Sequence, residues 1–153
     1  MMRPTEGSKA LAEQVRENKV TAECVFCNCL GRVYSSNAYA IAIPDNYPIS
    51  DGHTLIIPRR HVRSIFDLND RELQSVWNLV QTVRRYLMEE HYPAGFNIGI
   101  NDGTAAGQTI AHGHVHVIPR YSDDVPDPRG GVRWILPDKA KYWQTFLRSY
   151  CNE

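Results

Sequence analysis

The sequence predicts an α+β domain, an antiparallel sheet carrying one long amphipathic helix, with a further helix at the C-terminus. Two patterns carry that expectation. Short β-prone runs cut off by proline and turn residues lie on both sides of a single stretch with helical periodicity. The length, 153 residues, suits one compact domain.

In chain order, Val33 and Tyr34 precede the run from Tyr39 to Ile43, which stops at Pro44. The turn-rich segment DNYPISDG leads to His53 through Ile57, stopped by Pro58, so the two runs read as antiparallel strands joined by a loop. Asn69 followed by Glu72 forms a capping box at a helix start. Leu73, Val76, Trp77, Val80, Val83 and Leu87 then recur at spacings of three and four, which places them on one core-facing stripe. Arg84, Arg85 and Glu89 fall between them, and His91-Tyr92-Pro93 closes the helix. Phe96 to Ile100 alternates as a half-buried strand. The loop NDGTAAGQ turns into a last strand from Thr109 to Ile118, stopped by Pro119. Residues 121–139 read as loop broken by a short VRWIL stretch, and Lys139 to Tyr150 as the closing helix.

Composition narrows the function classes. Hydrophobic residues make up 42% and charged residues 22%, the balance of an ordinary globular protein. Lysine plus arginine (17) equals aspartate plus glutamate (17), so nothing electrostatic argues for nucleic acid or a membrane surface as partner. No apolar run reaches the ~18 residues that span a bilayer, and the first residues lack a signal-peptide core. The expected compartment is cytoplasmic and reducing. There, the three cysteines crowded into CVFCNC read as metal ligands rather than as a disulfide framework.

The chemistry concentrates in His112-Gly-His114-Val-His116. On a strand, side chains alternate between faces, so the three imidazoles project from one face while Gly113, Val115 and Val117 take the other. Imidazoles in a row make a poor core, because each nitrogen needs a partner when buried. From the spacing alone, metal ligation and a nucleophile with flanking helpers are nearly even. The preceding loop shifts the balance. Asn101, Gln108 and Thr109 offer uncharged donors suited to a phosphate, and the strand lacks the carboxylates of a hard metal site.

These residues carry a resemblance. GQTIAHGHVHVIPRY resembles the motif of the histidine triad (HIT) family, His-φ-His-φ-His-φ-φ with φ apolar, and DNYPISDGHTLIIPRRHVRSIFDL resembles that family's nucleotide-binding segment. The likeness spans roughly residues 23 to 121, with Gly113 standing where the family usually has an apolar residue. Because Gly113 points away from the imidazoles, the expectation is altered packing with the chemistry intact. The resemblance implies a HIT-like fold over 23–153, with 1–22 as an N-terminal arm.

It also implies roles. His114 corresponds to the nucleophile that forms a nucleotidyl-histidine from an adenosine-type phosphate, with water then releasing the monophosphate. Imidazole suits that work, having an unperturbed pKa of about 6.5. His116 corresponds to the histidine that contacts phosphate and assists the leaving group, His112 to the first triad member, and His53 to a further phosphate-side histidine. Asn101, Gln108 and Thr109 correspond to phosphate-holding positions, Asp45 to the ribose-binding position and Ile43 to a wall of the base pocket. Read without the family, Asp45 is a turn carboxylate and Ile43 strand core. A histidine at 116, where transferase relatives carry glutamine, points to hydrolysis. A dinucleoside polyphosphate is the implied substrate, with a nucleoside phosphoramidate as alternative.

Several similar triad proteins complete a Cys-x-x-Cys pair with two histidines. The corresponding set here is Cys24, Cys27, His61 and His112, which implies a structural zinc and makes His112 both ligand and triad member. The plainer alternative is reduced cysteines packed as small apolar side chains, the expected state of Cys29 and Cys151. Two rival functions remain at this stage: a regulatory nucleotide-binding module with slow turnover, and a metalloenzyme using His112, His114 and His116 as ligands. Arg120, Arg129 and Lys139 could favour a polyphosphate, with solvated surface charge as the default. Relatives of this type form homodimers, for which the Trp77 helix or the Phe96–Ile100 strand is the candidate face.

Overall fold

A computed structural model describes residues 22–143. The N-terminal arm up to residue 21, most of the expected closing helix, and Cys151 lie outside that range. Five strands form one antiparallel sheet in the order β1-β2-β3-β5-β4: β1 (Ser35–Ser36), β2 (Ala40–Pro44), β3 (Thr54–Pro58), β4 (Gly95–Gly99) and β5 (Val115–Arg120). Helix α1 spans Asp70–His91 and a short α2 spans Pro137–Ala140. The α+β expectation holds, and the VRWIL stretch forms a 3-10 turn, Gly131–Ile135.

The two-residue period of the strands divides the interior into two cores. Ala40, Ala42, Ile56, Val115 and Val117 face α1 and pack on Val76, Leu79, Val80, Val83 and Leu87. Ile41, Ile43, Leu55 and Ile57 point the other way and pack under Phe26 and Cys29 of the cysteine turn. Covered on both sides, β2 and β3 read as unbroken apolar runs. Strand β5 has valines toward α1 and alternates buried with half-buried positions.

Helix α1 starts at the expected capping box. Asn69 Oδ1 accepts from the Glu72 amide, and Glu72 Oε2 accepts from the Asn69 amide, each at 3.0 Å. Glu72 also takes a two-pronged bond from Arg60, at 2.9 and 2.7 Å, which fastens the segment after β3 to the helix start. Trp77 departs from the expected stripe: it is 39% exposed, and Leu79, 2% exposed, fills the core instead. A helix turns about 100° per residue, so Trp77 falls about 60° beyond Val80 at one edge of the buried arc, while Leu79 forms the opposite edge.

The largest departure concerns the last strand. Thr109 through His114 do not join the sheet, and pairing begins at Val115. Partner strand β3 ends at Pro58, which has no N–H to continue the ladder. The Gly113 amide instead donates to Val62 O at 2.7 Å, in the loop after β3.

The Arg60 guanidinium and the Asn69 amide hold the Glu72 carboxyl down from 4.5 to about 2. A depressed carboxyl pKa adds stability that is present above pH 4.5 and lost as pH falls toward 2. Glu72→Gln keeps an acceptor for the cap but removes the charge. Chemical denaturation across this window should give a flatter pH dependence for the variant than for the parent.

Candidate active site

Strand β5 and the residues leading into it carry the histidines along the face opposite α1. Phe26 marks their alignment, its ring lying edge-on to His112 at 6.0 Å and to His114 at 5.0 Å between centroids. His116 continues the row, 5.0 Å from the His114 ring. The expected common face is present, although only His116 of the three stands within the paired strand.

Backbone groups set the tautomers. His114 Nδ1–H donates to the carbonyl of His112 at 2.8 Å, which leaves Nε2 with its lone pair. The Ile49 amide donates to His53 Nδ1 at 3.4 Å, so His53 Nε2–H donates to His116 Nδ1 at 3.0 Å. That relay leaves the proton of His116 on Nε2. Burial first, then the neighbouring His114 and His53, hold His116 down to about 4, and burial also lowers His53. Both rings are neutral at pH 7. Asp45 Oδ2 lies 3.5 Å from His53 Nε2 and 4.0 Å from His116 Nδ1, while its Oδ1 accepts from the Tyr47 amide at 2.9 Å.

These side chains open onto a cleft of about 1460 Å³. His114, His116, His53, Asp45, Asn101 and Thr109 all line it. Ile43 and Gln108 do not. Ile43 is fully buried in the core beneath the cysteine turn. Gln108 braces its own loop, donating to the carbonyls of Arg63 and Ile110 at 2.7 and 3.1 Å and accepting from the Gly103 amide at 2.8 Å. Arg120 pairs with Asp124 and Asn97, Arg129 pairs with Asp127, and neither they nor Lys139 line the cleft. Arg32 is the one arginine or lysine among the described residues that does.

The sequence reading missed part of the apolar lining: Phe26, Leu55 and Ile110 on the sheet side, and Trp134, Ile135 and Leu136 opposite. The apolar run at 132–136 was a visible signal, since Ile135 and Leu136 remain 81% and 63% exposed. Nothing local tied it to this cleft.

A second cluster gathers Cys24, Cys27, His61 and His112, whose donor atoms lie within 4.8 Å of one another. His112 Nε2–H donates to the Pro58 carbonyl at 2.9 Å, so its Nδ1 lone pair faces the thiols, 3.5 Å from Cys24 Sγ and 3.7 Å from Cys27 Sγ. His61 Nδ1 lies 3.3 Å from Cys27 Sγ. Burial, followed by the adjoining Cys24, pushes the Cys27 thiol up to about 11. Two thiols and two imidazoles held this close fit a divalent ion, which would turn the crowding into attraction. His112 and His116 belong to different clusters and His114 to neither, so the three triad rings do not converge on one ion.

The HIT domain family profile matches residues 31–123. The chain belongs to the HIT family. It is 37% identical over 95 residues to the AP-4-A phosphorylase of Mycobacterium tuberculosis, covering 61% of this chain and 49% of that one. It is 32% identical over 114 residues to the bis(5'-adenosyl)-triphosphatase of Saccharomyces cerevisiae, covering 73% and 52%. Among solved structures, a zinc-bound histidine triad family protein from Mycobacterium smegmatis superposes with a TM-score of 0.63 at 29% identity, covering 82% of this chain and 99% of that one. Among the described residues of this HIT chain, no helix is long and apolar enough to cross a membrane.

Gly113 has a steric reason. A Cβ there would sit 2.7 Å from the Ile65 amide nitrogen and 3.0 Å from the Ser64 carbonyl carbon. Because the obstacle is backbone, trimming the Ile65 side chain would not relieve it. Gly113→Ala should cost roughly 1–3 kcal/mol in denaturant melts, with no recovery in Gly113→Ala/Ile65→Val.

Proposed function

We propose that this HIT protein is a nucleotidyl hydrolase that cleaves a dinucleoside polyphosphate, such as diadenosine tetraphosphate, at the α-phosphorus through a covalent adduct on His114. The observation that carries this reading is the bond from His114 Nδ1–H to the His112 carbonyl, which frees Nε2 in the cleft beside the Nε2–H of His116. In the first step Nε2 attacks the α-phosphorus and the anhydride bond breaks. The departing phosphate leaves as its anion, and His116 Nε2–H donates a hydrogen bond to the leaving oxygen. In the second, water attacks the adduct, the P–N bond breaks back to His114 Nε2, and the water's proton passes to solvent as nucleoside monophosphate is released. Asp45 accepts from ribose hydroxyls, Asn101 and Thr109 donate to phosphate oxygens, and the Phe26 side of the cleft takes the base. Gln108 acts on the substrate by holding its loop, and Ile43 by supporting the cleft floor from behind.

Cys24, Cys27, His61 and His112 would hold a structural zinc, tying the cysteine turn to the sheet in a closed four-donor site with no position for substrate. Strand β4 is one edge of the sheet, and either it or the α1 face bearing the exposed Trp77 is the candidate face for a homodimer.

The adduct is the decisive test. α-Labelled diadenosine tetraphosphate, quenched in base, should label the parent and leave His114→Ala unlabelled, with turnover down by roughly 10⁴-fold or more. A labelled His114→Ala would overturn the mechanism. Running a phosphoramidate alongside assigns the leaving group, and a labelled protein that releases no monophosphate would mark a binding module instead.

The purified chain should also retain one zinc by elemental analysis. Cys27→Ser should lose it and melt roughly 5–15 °C lower.

A further inference from the structure

We propose that Asp45, His53 and His116 form a second, open metal site, where a divalent first-row ion binds in the cleft and excludes the nucleotide. The site stands on geometry alone; the exclusion rests on reading Asp45 and His116 as nucleotide contacts.

Three donors from three separate segments meet there: the turn after β2, the residue before β3, and β5 itself. His53 Nε2 lies 3.0 Å from His116 Nδ1 and 3.5 Å from Asp45 Oδ2, and the third side of the triangle measures 4.0 Å. With bonds of about 2.1 Å, the first two separations suit neighbouring ligands of one ion, and the longest side needs Asp45 and His116 to close by about half an ångström. The donors are already desolvated, with side chains 4%, 15% and 21% exposed for His53, Asp45 and His116. Asp45 is also aimed: its second oxygen is held by the Tyr47 amide.

The donor set differs from the cysteine cluster in kind. Two imidazoles and one carboxylate on one side of an ion, with the cleft on the other, leave positions for water and suit zinc, cobalt or nickel. Binding needs no proton release. The proton on His53 Nε2 moves to Nδ1, giving up the long 3.4 Å contact from the Ile49 amide and the 3.0 Å bond to His116. The bound ion would then occupy the Asp45 oxygen needed for ribose and break the His53–His116 relay.

The test uses the zinc-loaded chain titrated with Co²⁺. A second equivalent should bind and give visible d–d absorption without a thiolate charge-transfer band. Asp45→Asn, which keeps an acceptor for the Tyr47 amide, should weaken that equivalent by roughly 100-fold or more while the first zinc stays. Excess AMP should displace the cobalt. A zinc-loaded chain that takes up no cobalt, or Asp45→Asn binding like the parent, overturns the site. Cobalt that AMP leaves in place overturns the exclusion and counts against the nucleotide reading, with the site itself intact.

Discussion

Backbone carbonyls decide which nitrogen of His112 and of His114 is free, and the reading of this site depends on that choice. The Pro58 carbonyl takes the Nε2 proton of His112, so Nδ1 faces the thiols. The His112 carbonyl takes the Nδ1 proton of His114, so Nε2 keeps its lone pair. Each acceptor is fixed by the backbone: Pro58 ends β3, and His112 stands three residues before β5, in a peptide unit held by the Gly113 amide's bond to Val62 O. A side-chain acceptor could rotate away, whereas a carbonyl in this framework moves only with the strand.

His112 reconciles two roles that compete on paper. Its Nδ1 serves the cysteine cluster, its Nε2 anchors the ring to Pro58, and its backbone carbonyl orients His114. Three different groups do three jobs, so metal ligation takes nothing from the nucleophile. Phe26 adds a second connection. It lies between Cys24 and Cys27 in sequence, is 7% exposed, and packs against both the His112 and His114 rings. The cysteine turn therefore builds one wall of the cleft as well as the cluster.

Local signals made much of this legible in the sequence. The capping box at Asn69 and Glu72, the prolines that end β2 and β3, and the period of two at His114, Val115 and His116 depend on neighbours a few residues away. What escaped depends on distant partners. Thr109 to His114 alternate like a strand, yet their pairing was decided by Pro58 and Val62, some fifty residues earlier. Gln108 has the chemistry of a phosphate donor, and only the positions of the Arg63 and Ile110 carbonyls turn it into a loop brace. Trp134 to Leu136 read as an orphan apolar run because the cleft they line is assembled from the cysteine turn, β4 and β5.

The cleft meets an anionic substrate almost without cations. Among the described residues Arg32 alone of the arginines and lysines lines it, and the buried His53 and half-buried His116 are neutral at pH 7. Phosphate must then be held by oriented N–H and O–H donors, which act strongly where water is excluded. Neutral imidazole is also what a nucleophile requires, since a protonated ring has no lone pair to offer. The same requirement makes these rings good metal ligands. A site built on neutral histidines beside a carboxylate is therefore open to divalent ions by construction, and the separate sulfur-bearing cluster offers such an ion donors that lie outside the cleft.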